Sequence, residues 1–327
     1  MKAFSIVAVV LYHTQCAPEI KSIAYIVCLP AFFLAAGICA DTDMSPWTFF
    51  RRKTMRLLIP YVIWGLVSWI AWLLIARKYG QEEGAETWWE PLAGMLCGRV
   101  EMLSHNRPLW FLCCMMSVEW LYYLLCLLRH SAQRWIGAIS IAIAGCVLSH
   151  YQIHGLWEMT AAMLVLPVYM AGAEGKEWWK TKATGLSDGK LLGILMLSVI
   201  GIGLGYVYNP MFHISTCQVG HPLLFYITAF SAAGVWLSIA LLLNRHVQSM
   251  RIVPFIGQHT LFVLCAHIPA FGFIKGIALL CHASLDFFNT PWGCVCLLCS
   301  SFILLLPLSY GITKYCPILL GKRRVTP

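Results

Sequence analysis

Residues 191–208 read LLGILMLSVIGIGLGYVY, an apolar run without a charged side chain. A bilayer core about 30 Å thick needs about 20 apolar residues to be crossed by one α-helix. The run is continuous and does not alternate between apolar and polar residues, as the strands of a membrane β-barrel do. Its glycines at 201, 203 and 205 fit helix packing and not a dinucleotide-binding loop, since no strand precedes them. This stretch predicts a transmembrane helix.

Comparable runs recur along the whole chain, and we expect them to form about ten spans. We place them near 2–16, 22–40, 56–76, 107–128, 135–150, 157–173, 190–208, 223–243, 258–280 and 291–313. The sequence therefore predicts an all-α fold, a polytopic transmembrane helical bundle. We expect residues 1–327 to form a single integral membrane domain without an appended soluble domain. The first run is short, which predicts either a short helix or a start that lies upstream.

The composition excludes several classes of protein. Of 327 residues, 60% are hydrophobic and 11% are charged, and the mean hydropathy is +0.73. Soluble domains are about 45–50% apolar and about 25% charged, so this chain lacks the polar side chains to coat a soluble surface. A soluble enzyme, a secreted disulfide scaffold and a disordered chain are excluded. The 15 cysteines are scattered, mostly within apolar runs, where a thiol behaves as a small hydrophobe.

The formal charge of +9 gives the orientation of the chain. Cytoplasmic loops of membrane proteins collect Lys and Arg. If both termini are cytoplasmic, most of the 23 basic residues lie on the inner side. The exceptions are Lys21, Arg77, Lys78, Arg99, Arg107 and Lys275. We therefore expect a multi-pass protein of the bacterial cytoplasmic membrane, with the lipid bilayer and not nucleic acid as its surroundings.

Ionisable residues inside a bilayer are costly and are candidates for function. His13 lies deep in the first run, and its imidazole can act as a general base near neutral pH. Lys2, eleven residues earlier, would lie about 16 Å away along a helix, at the cytoplasmic face. The residues alone leave a second interpretation open, in which Lys2 flanks the helix and His13 is a hydrogen-bonded packing residue.

Further candidates lie in later runs. Glu119 needs a partner in the membrane, and structural pairing is its simpler interpretation. Arg107 is suited either to grip an anionic or hydroxylated ligand or to anchor the helix at the interface beside Trp110. His267 is polar at mid-membrane depth.

The basic residues before the third run admit two interpretations. Arg51, Arg52, Lys53 and Arg56 flank an apolar segment, as the positive-inside rule predicts, but guanidinium groups also bind phosphates well. Metal sites are not expected. Cys294, Cys296 and Cys299 lack His or acidic neighbours, and Gly155 interrupts the His150, His154 and Glu158 spacing.

Six segments follow one another along the chain: Lys2-x10-His13, P30AFFLAAG37, R51RKTMRLLIPY61, P108LWFL112 with Glu119, G257QHT260 with His267, and L320GKRR324. In this order they resemble the acyltransferase 3 family of integral membrane acyltransferases. The chain departs from the family pattern at Lys2, where Arg is usual, and at Ala36, where Ser is usual, so any role of that hydroxyl is absent here.

The resemblance implies transfer of an acyl group other than an aminoacyl group. The donor would be cytosolic acyl-CoA, expected to be acetyl-CoA, and the acceptor a hydroxyl of an envelope glycan or its lipid-linked precursor. It implies that His13 is the base and that Glu119 orients His13 or a cationic neighbour. Lys2, Arg52 and Arg56 would hold the donor phosphates, while Arg107, Trp110 and His267 would meet the acceptor.

Two other functions compete with this interpretation. Ten spans with interrupted helices and intramembrane ionisable residues also suit a transporter of a small polar or glycan-related solute. A transporter should show an internal repeat, and the landmarks concentrate in residues 1–120 without recurring later. A membrane sensor or partner subunit without chemistry is the third possibility, and no sequence feature points to it.

Overall fold

A computed structural model describes residues 1–76, 87–247 and 251–322. Arg77, Lys78, Arg323 and Arg324, which entered the charge analysis, lie outside these residues. The described part of the chain is helical apart from turns and an isolated antiparallel bridge between His213 and Gln218. The predicted all-α class is confirmed.

Thirteen α-helices, numbered here along the chain, make up most of the described residues. They are α1 Lys2–Tyr12, α2 Pro18–Ile38, α3 Pro46–Lys53, α4 Ile59–Ala71, α5 Glu90–Cys97, α6 Trp110–Cys126, α7 Ser131–His150, α8 Met159–Glu174, α9 Asp188–Tyr208, α10 Pro222–His246, α11 Ile252–Gln258, α12 Thr260–Leu280 and α13 Pro291–Tyr315. A π-helical segment, Thr54–Leu58, joins α3 to α4. Single 3-10 turns, Arg107–Leu109 and Leu156–Glu158, lead into α6 and α8.

Nine helical segments in the described residues are long and apolar enough to cross a membrane, and the short α1 lies at the position of the predicted first span. The polytopic bundle is thus confirmed, although several spans begin earlier than expected. The second begins at Pro18, because proline is preorganised for the first helical position. The third begins at Pro46, where the Ser45 hydroxyl accepts a hydrogen bond from the Thr48 amide.

The centre of the bundle is formed by α2, α6 and α8, whose residues are mostly buried. Helices α2 and α8 approach each other backbone to backbone. A Cβ atom at Gly37 would overlap the carbonyl oxygen of Tyr169, and one at Gly172 would overlap the carbonyl oxygen of Leu34. Small residues permit this approach in membrane helices, so Gly37 in the P30AFFLAAG37 segment has a packing role.

The periphery is formed by α7, α9 and α13, which bury fewer than a quarter of their residues. Leu197 on α9 and Ile303 on α13 are 70% and 74% exposed. Such surfaces suit hydrocarbon, since lipid tails are as apolar as these side chains. The quoted stretch at 191–208 is therefore a lipid-facing helix.

Consecutive spans run in opposite directions, so alternate connections lie at the same end of the bundle. We label the two ends by the orientation that the charge distribution predicts. The end labelled outer combines the end of α1, the start of α2, the 3-10 turn before α6 and the 209–221 connection before α10. The inner end combines α3, the end of α6 and the 3-10 turn Pro317–Leu320. The Trp64 indole donates to the carbonyl oxygen of Leu319 and attaches that turn to α4.

Candidate functional site

His13 is the C-cap residue of α1, directly after Tyr12, and it lines a cavity of about 280 Å³ at the outer end of the bundle. Its backbone amide still bonds to the Val9 carbonyl, so the last helical turn fixes the position of the imidazole. The side chain is partly exposed. A ligand that enters from the outer side therefore reaches the imidazole directly.

His267 lies behind His13, and its side chain has no exposed surface. The two ring centroids are 5.1 Å apart. His267 Nδ1 lies 2.9 Å from the Val263 carbonyl oxygen, which only accepts, so Nδ1 carries the proton and Nε2 carries the lone pair. Nε2 has no hydrogen-bond partner among the described residues. A buried acceptor thus lies beside the predicted base.

Two of the predicted acceptor residues, Arg107 and Trp110, line the cavity with His13. Arg107 is exposed in the 3-10 turn before α6, and Trp110, the first residue of α6, is buried. His267 does not line the cavity, so its predicted contact with the acceptor stays a prediction.

The 209–221 connection, which the sequence motifs do not identify, supplies another wall of the cavity. His213 Nε2 lies 3.3 Å from the Tyr12 hydroxyl, and Nδ1 lies 2.9 Å from the Thr216 hydroxyl and 3.2 Å from that of Ser215. Tyr25 stacks on the His213 ring, with centroids 4.1 Å apart. Burial lowers the pKa of His213 to about 4, so its imidazole is neutral near pH 7. The sequence feature that could have indicated this wall is the presence of a His, a Ser and a Thr in a short connection between two spans.

Glu119 lies on the inner half of α6 and not at the cavity. Its Oε1 is 2.6 Å from Lys53 Nζ, and both side chains are nearly buried. Phe111, which lines the cavity, precedes Glu119 by eight residues, or about 12 Å along the helix axis. Of the two partners that the resemblance implied, the structure places the cationic neighbour, Lys53, in contact with Glu119.

The other inner-end cations differ in pairing. Arg52 forms an exposed ion pair with Asp41, 2.6 Å long, whereas Arg56 is exposed and pairs with no described carboxylate. Gly321 packs against the backbone of Met55 and Arg56, so the next residue, Lys322, lies near Arg56. Burial and the positive charge of Arg56 lower the pKa of Lys322. Lys2, at the first turn of α1, is partly exposed. Among the described residues, Arg56 and Lys322 are thus two neighbouring cations, neither of which makes an ion pair.

The two ends can therefore perform different tasks. The outer cavity is lined by a partly exposed imidazole together with hydroxyl and aromatic groups. This arrangement can bind a hydroxylated molecule and remove a proton from it. The inner end offers free cations that can bind phosphate groups. In the described ranges, no group of three or more His, Cys, Asp or Glu side chains is placed to hold a metal ion.

The chain was compared with protein families, curated proteins and solved structures. The model of the acyltransferase 3 family, described as an acyltransferase domain, matches residues 1–310. No curated protein and no solved structure matches the chain.

Proposed function

The chain belongs to the acyltransferase 3 family and is a membrane acyltransferase, and from this premise we propose its reaction. It transfers an acetyl group from cytosolic acetyl-CoA to a hydroxyl of an envelope glycan or its lipid-linked precursor. We place it in the bacterial cytoplasmic membrane with both termini in the cytoplasm. The observation that carries the proposal is His13, an imidazole that faces an outer cavity and has a buried acceptor behind it.

In this proposal His13 is the general base. One imidazole nitrogen takes the proton of the acceptor hydroxyl while the hydroxyl oxygen attacks the thioester carbonyl carbon. The carbon–sulfur bond breaks, the ester forms, and the thiolate of CoA takes the proton back from His13. The chemistry balances without a metal or an oxidant.

His267 acts in this proposal as a positioning residue. Because its Nδ1 is committed to the Val263 carbonyl, its free Nε2 can accept a hydrogen bond only from a neighbouring donor. An N–H of His13 is such a donor, and that bond would direct the lone pair of the other His13 nitrogen towards the acceptor. The 5.1 Å between ring centroids supports this role.

The donor would bind at the inner end. Arg56 and Lys322 are free to contact phosphate groups, and Lys2 and Arg52 add positive charge there. Helix α1 places His13 about 16 Å from Lys2, the distance that the flexible thioester arm of the donor must span. Glu119 neutralises and positions Lys53 at the same end.

A His13→Ala variant tests the proposal. Purified protein in proteoliposomes would receive labelled acetyl-CoA inside and extracted envelope polysaccharide outside, and both ester formation and CoA release would be measured. We expect His13→Ala to lower transfer by about 10²–10⁴-fold, the usual contribution of a general base. His130→Ala, which changes an exposed histidine that does not line the cavity, is the matched control and should transfer normally. Full transfer by His13→Ala would contradict the assignment.

A further inference from the structure

We propose that the outer cavity selects acceptors that carry a negative charge, with Lys21 and Arg107 contacting a carboxylate or phosphate on the sugar. This inference rests on the proposed function, because it names the chemical class of the acceptor at the same site. The sugar unit to be acylated is thus an acidic one, such as a hexuronic acid or a sugar phosphate.

The charges of the cavity carry the inference. Lys21 and Arg107 both line it, and neither makes an ion pair with a described residue. None of the described residues that line the cavity is acidic. By contrast Arg99, also at the outer end, lies 3.5 Å from the Glu101 carboxylate. Two uncompensated cations that face one small cavity favour an anionic ligand.

The location strengthens the argument. Cations are sparse on the outer side of membrane proteins, because Lys and Arg collect on the cytoplasmic side. Lys21 lies one turn into α2, and Arg107 opens the turn before α6, so two separate segments bring positive charge to the cavity that His13 lines. The folded bundle, and not a local basic run, creates this positive potential.

The remaining wall suits a sugar. Trp110 offers an aromatic ring, and Ser215 and Thr216 offer hydroxyl groups. The cavity volume of about 280 Å³ lies just below the usual range of small-molecule sites, which begins at about 300 Å³, so the cavity fits one compact sugar unit. The Arg107 guanidinium can bind a carboxylate or phosphate through two parallel hydrogen bonds, which would orient a neighbouring hydroxyl towards His13.

Binding without donor tests the inference directly. Full-length protein in phosphatidylcholine nanodiscs would be titrated with a hexuronic acid oligosaccharide and with the same oligosaccharide after reduction of its carboxyl group to hydroxymethyl. A hexose phosphate and the parent hexose form a second matched pair. We expect the anionic member of each pair to bind about tenfold more tightly, as hydrogen bonds to charged groups allow.

Variants identify the groups responsible. Lys21→Gln and Arg107→Gln should each remove most of the preference for the anion, while Lys21→Arg and Arg107→Lys should retain part of it. Lys275→Gln removes another outer-side cation that does not line the cavity, and it should keep the full preference. Equal binding of charged and neutral sugars by the wild type would overturn the inference. So would loss of the preference in phosphatidylglycerol nanodiscs, since the cations would then bind lipid headgroups.

Transfer assays separate this inference from the proposed function. With acetyl-CoA present, the preference should appear mainly as a lower KM for the anionic acceptor. Equal acylation of both sugars would overturn the inference and leave the acyltransferase assignment intact. Selective binding of the anionic sugar, without transfer from any acyl-CoA to any acceptor, would support the inference and contradict the proposed reaction.

Discussion

Both ends of the bundle carry cations, but the two ends differ in whether those cations are paired with carboxylates. At the outer cavity Lys21 and Arg107 face open space without carboxylate partners. At the inner end Lys53 is buried against Glu119, and Arg52 is paired with Asp41 on the surface. Pairing therefore separates cations that stabilise the helices from cations that are free to bind a ligand. At the inner end Arg56 and Lys322 likewise make no ion pair with a described residue.

The largest expected effect comes from breaking the buried inner pair. Glu119→Gln leaves the Lys53 ammonium without a countercharge, and removal of one partner of a buried ion pair costs about 3–5 kcal/mol. We expect a clear fall in the Tm of the purified protein in detergent. The double variant Lys53→Met with Glu119→Gln should recover most of the lost stability, because no unpaired charge remains.

The double variant also separates structure from chemistry. If Glu119 acts only by pairing with Lys53, acyl transfer should return together with stability. A stable double variant without transfer would instead assign the Glu119 carboxylate or the Lys53 ammonium a direct part in donor binding or catalysis. An unchanged Tm in Glu119→Gln would contradict the structural role of the pair.

Removal of Arg56, an unpaired cation at the inner end, should have an intermediate effect. Arg56→Gln removes a cation that has no described carboxylate partner. The substitution should therefore weaken ligand binding and leave the stability of the protein nearly unchanged. We expect the KM for acetyl-CoA to rise about tenfold with little change in kcat, as for the loss of one charge-assisted phosphate contact. Arg129→Gln, at an exposed inner-end position, is the control. An unchanged KM in Arg56→Gln would exclude Arg56 from the donor site.

The smallest effect concerns the exposed pair. The Arg52 guanidinium, hydrogen-bonded to Asp41, holds the pKa of that carboxyl below its usual 3.8. A carboxyl with a lowered pKa contributes stability above its usual pKa, and the contribution disappears as the pH falls through the lowered value. Because the pair is exposed, we expect less than about 1 kcal/mol from it.

Asp41→Asn should therefore be slightly less stable than the wild type at pH 6, and the difference in Tm should shrink as the pH falls below 3.8, the usual pKa of the carboxyl. The comparison variant Asp43→Asn changes an exposed neighbouring aspartate and should show a smaller pH-dependent difference. A Tm difference for Asp41→Asn that persists unchanged at pH 3 would show that the ion pair is not its cause.

The spans could be predicted because their signal is local. Every predicted run coincides with a helix, and the shifted starts trace to Pro18, Pro46 and the Ser45 cap. The pairing of α2 with α8 was not predictable, although Gly37 lay within a segment of the recognised family. A glycine in a membrane helix does not reveal which backbone it allows to approach.

The candidate site was predicted in part. His13, Arg107 and Trp110 were identified as candidates, and the structure brings them to one cavity. Lys21 and His213 were missed, because one appeared only in the charge analysis and the other lay in a connection far along the chain. The partner of Glu119 was left open by the sequence, and the contact with Lys53 depends on how two distant helices pack.

Hydropathy alone identifies this chain as an α-helical membrane protein, because the hydropathy of about 20 residues fixes whether a segment can enter a bilayer. The family is also recognisable without a structure, through segments spread over most of the chain. Which few polar groups meet depends on the packing of the helices. His13 and His267 are far apart in sequence, and their rings come within 5.1 Å because the packing of α1 against α12 places them there. The same packing decides which of the few cations are paired with carboxylates and which are free to bind a ligand.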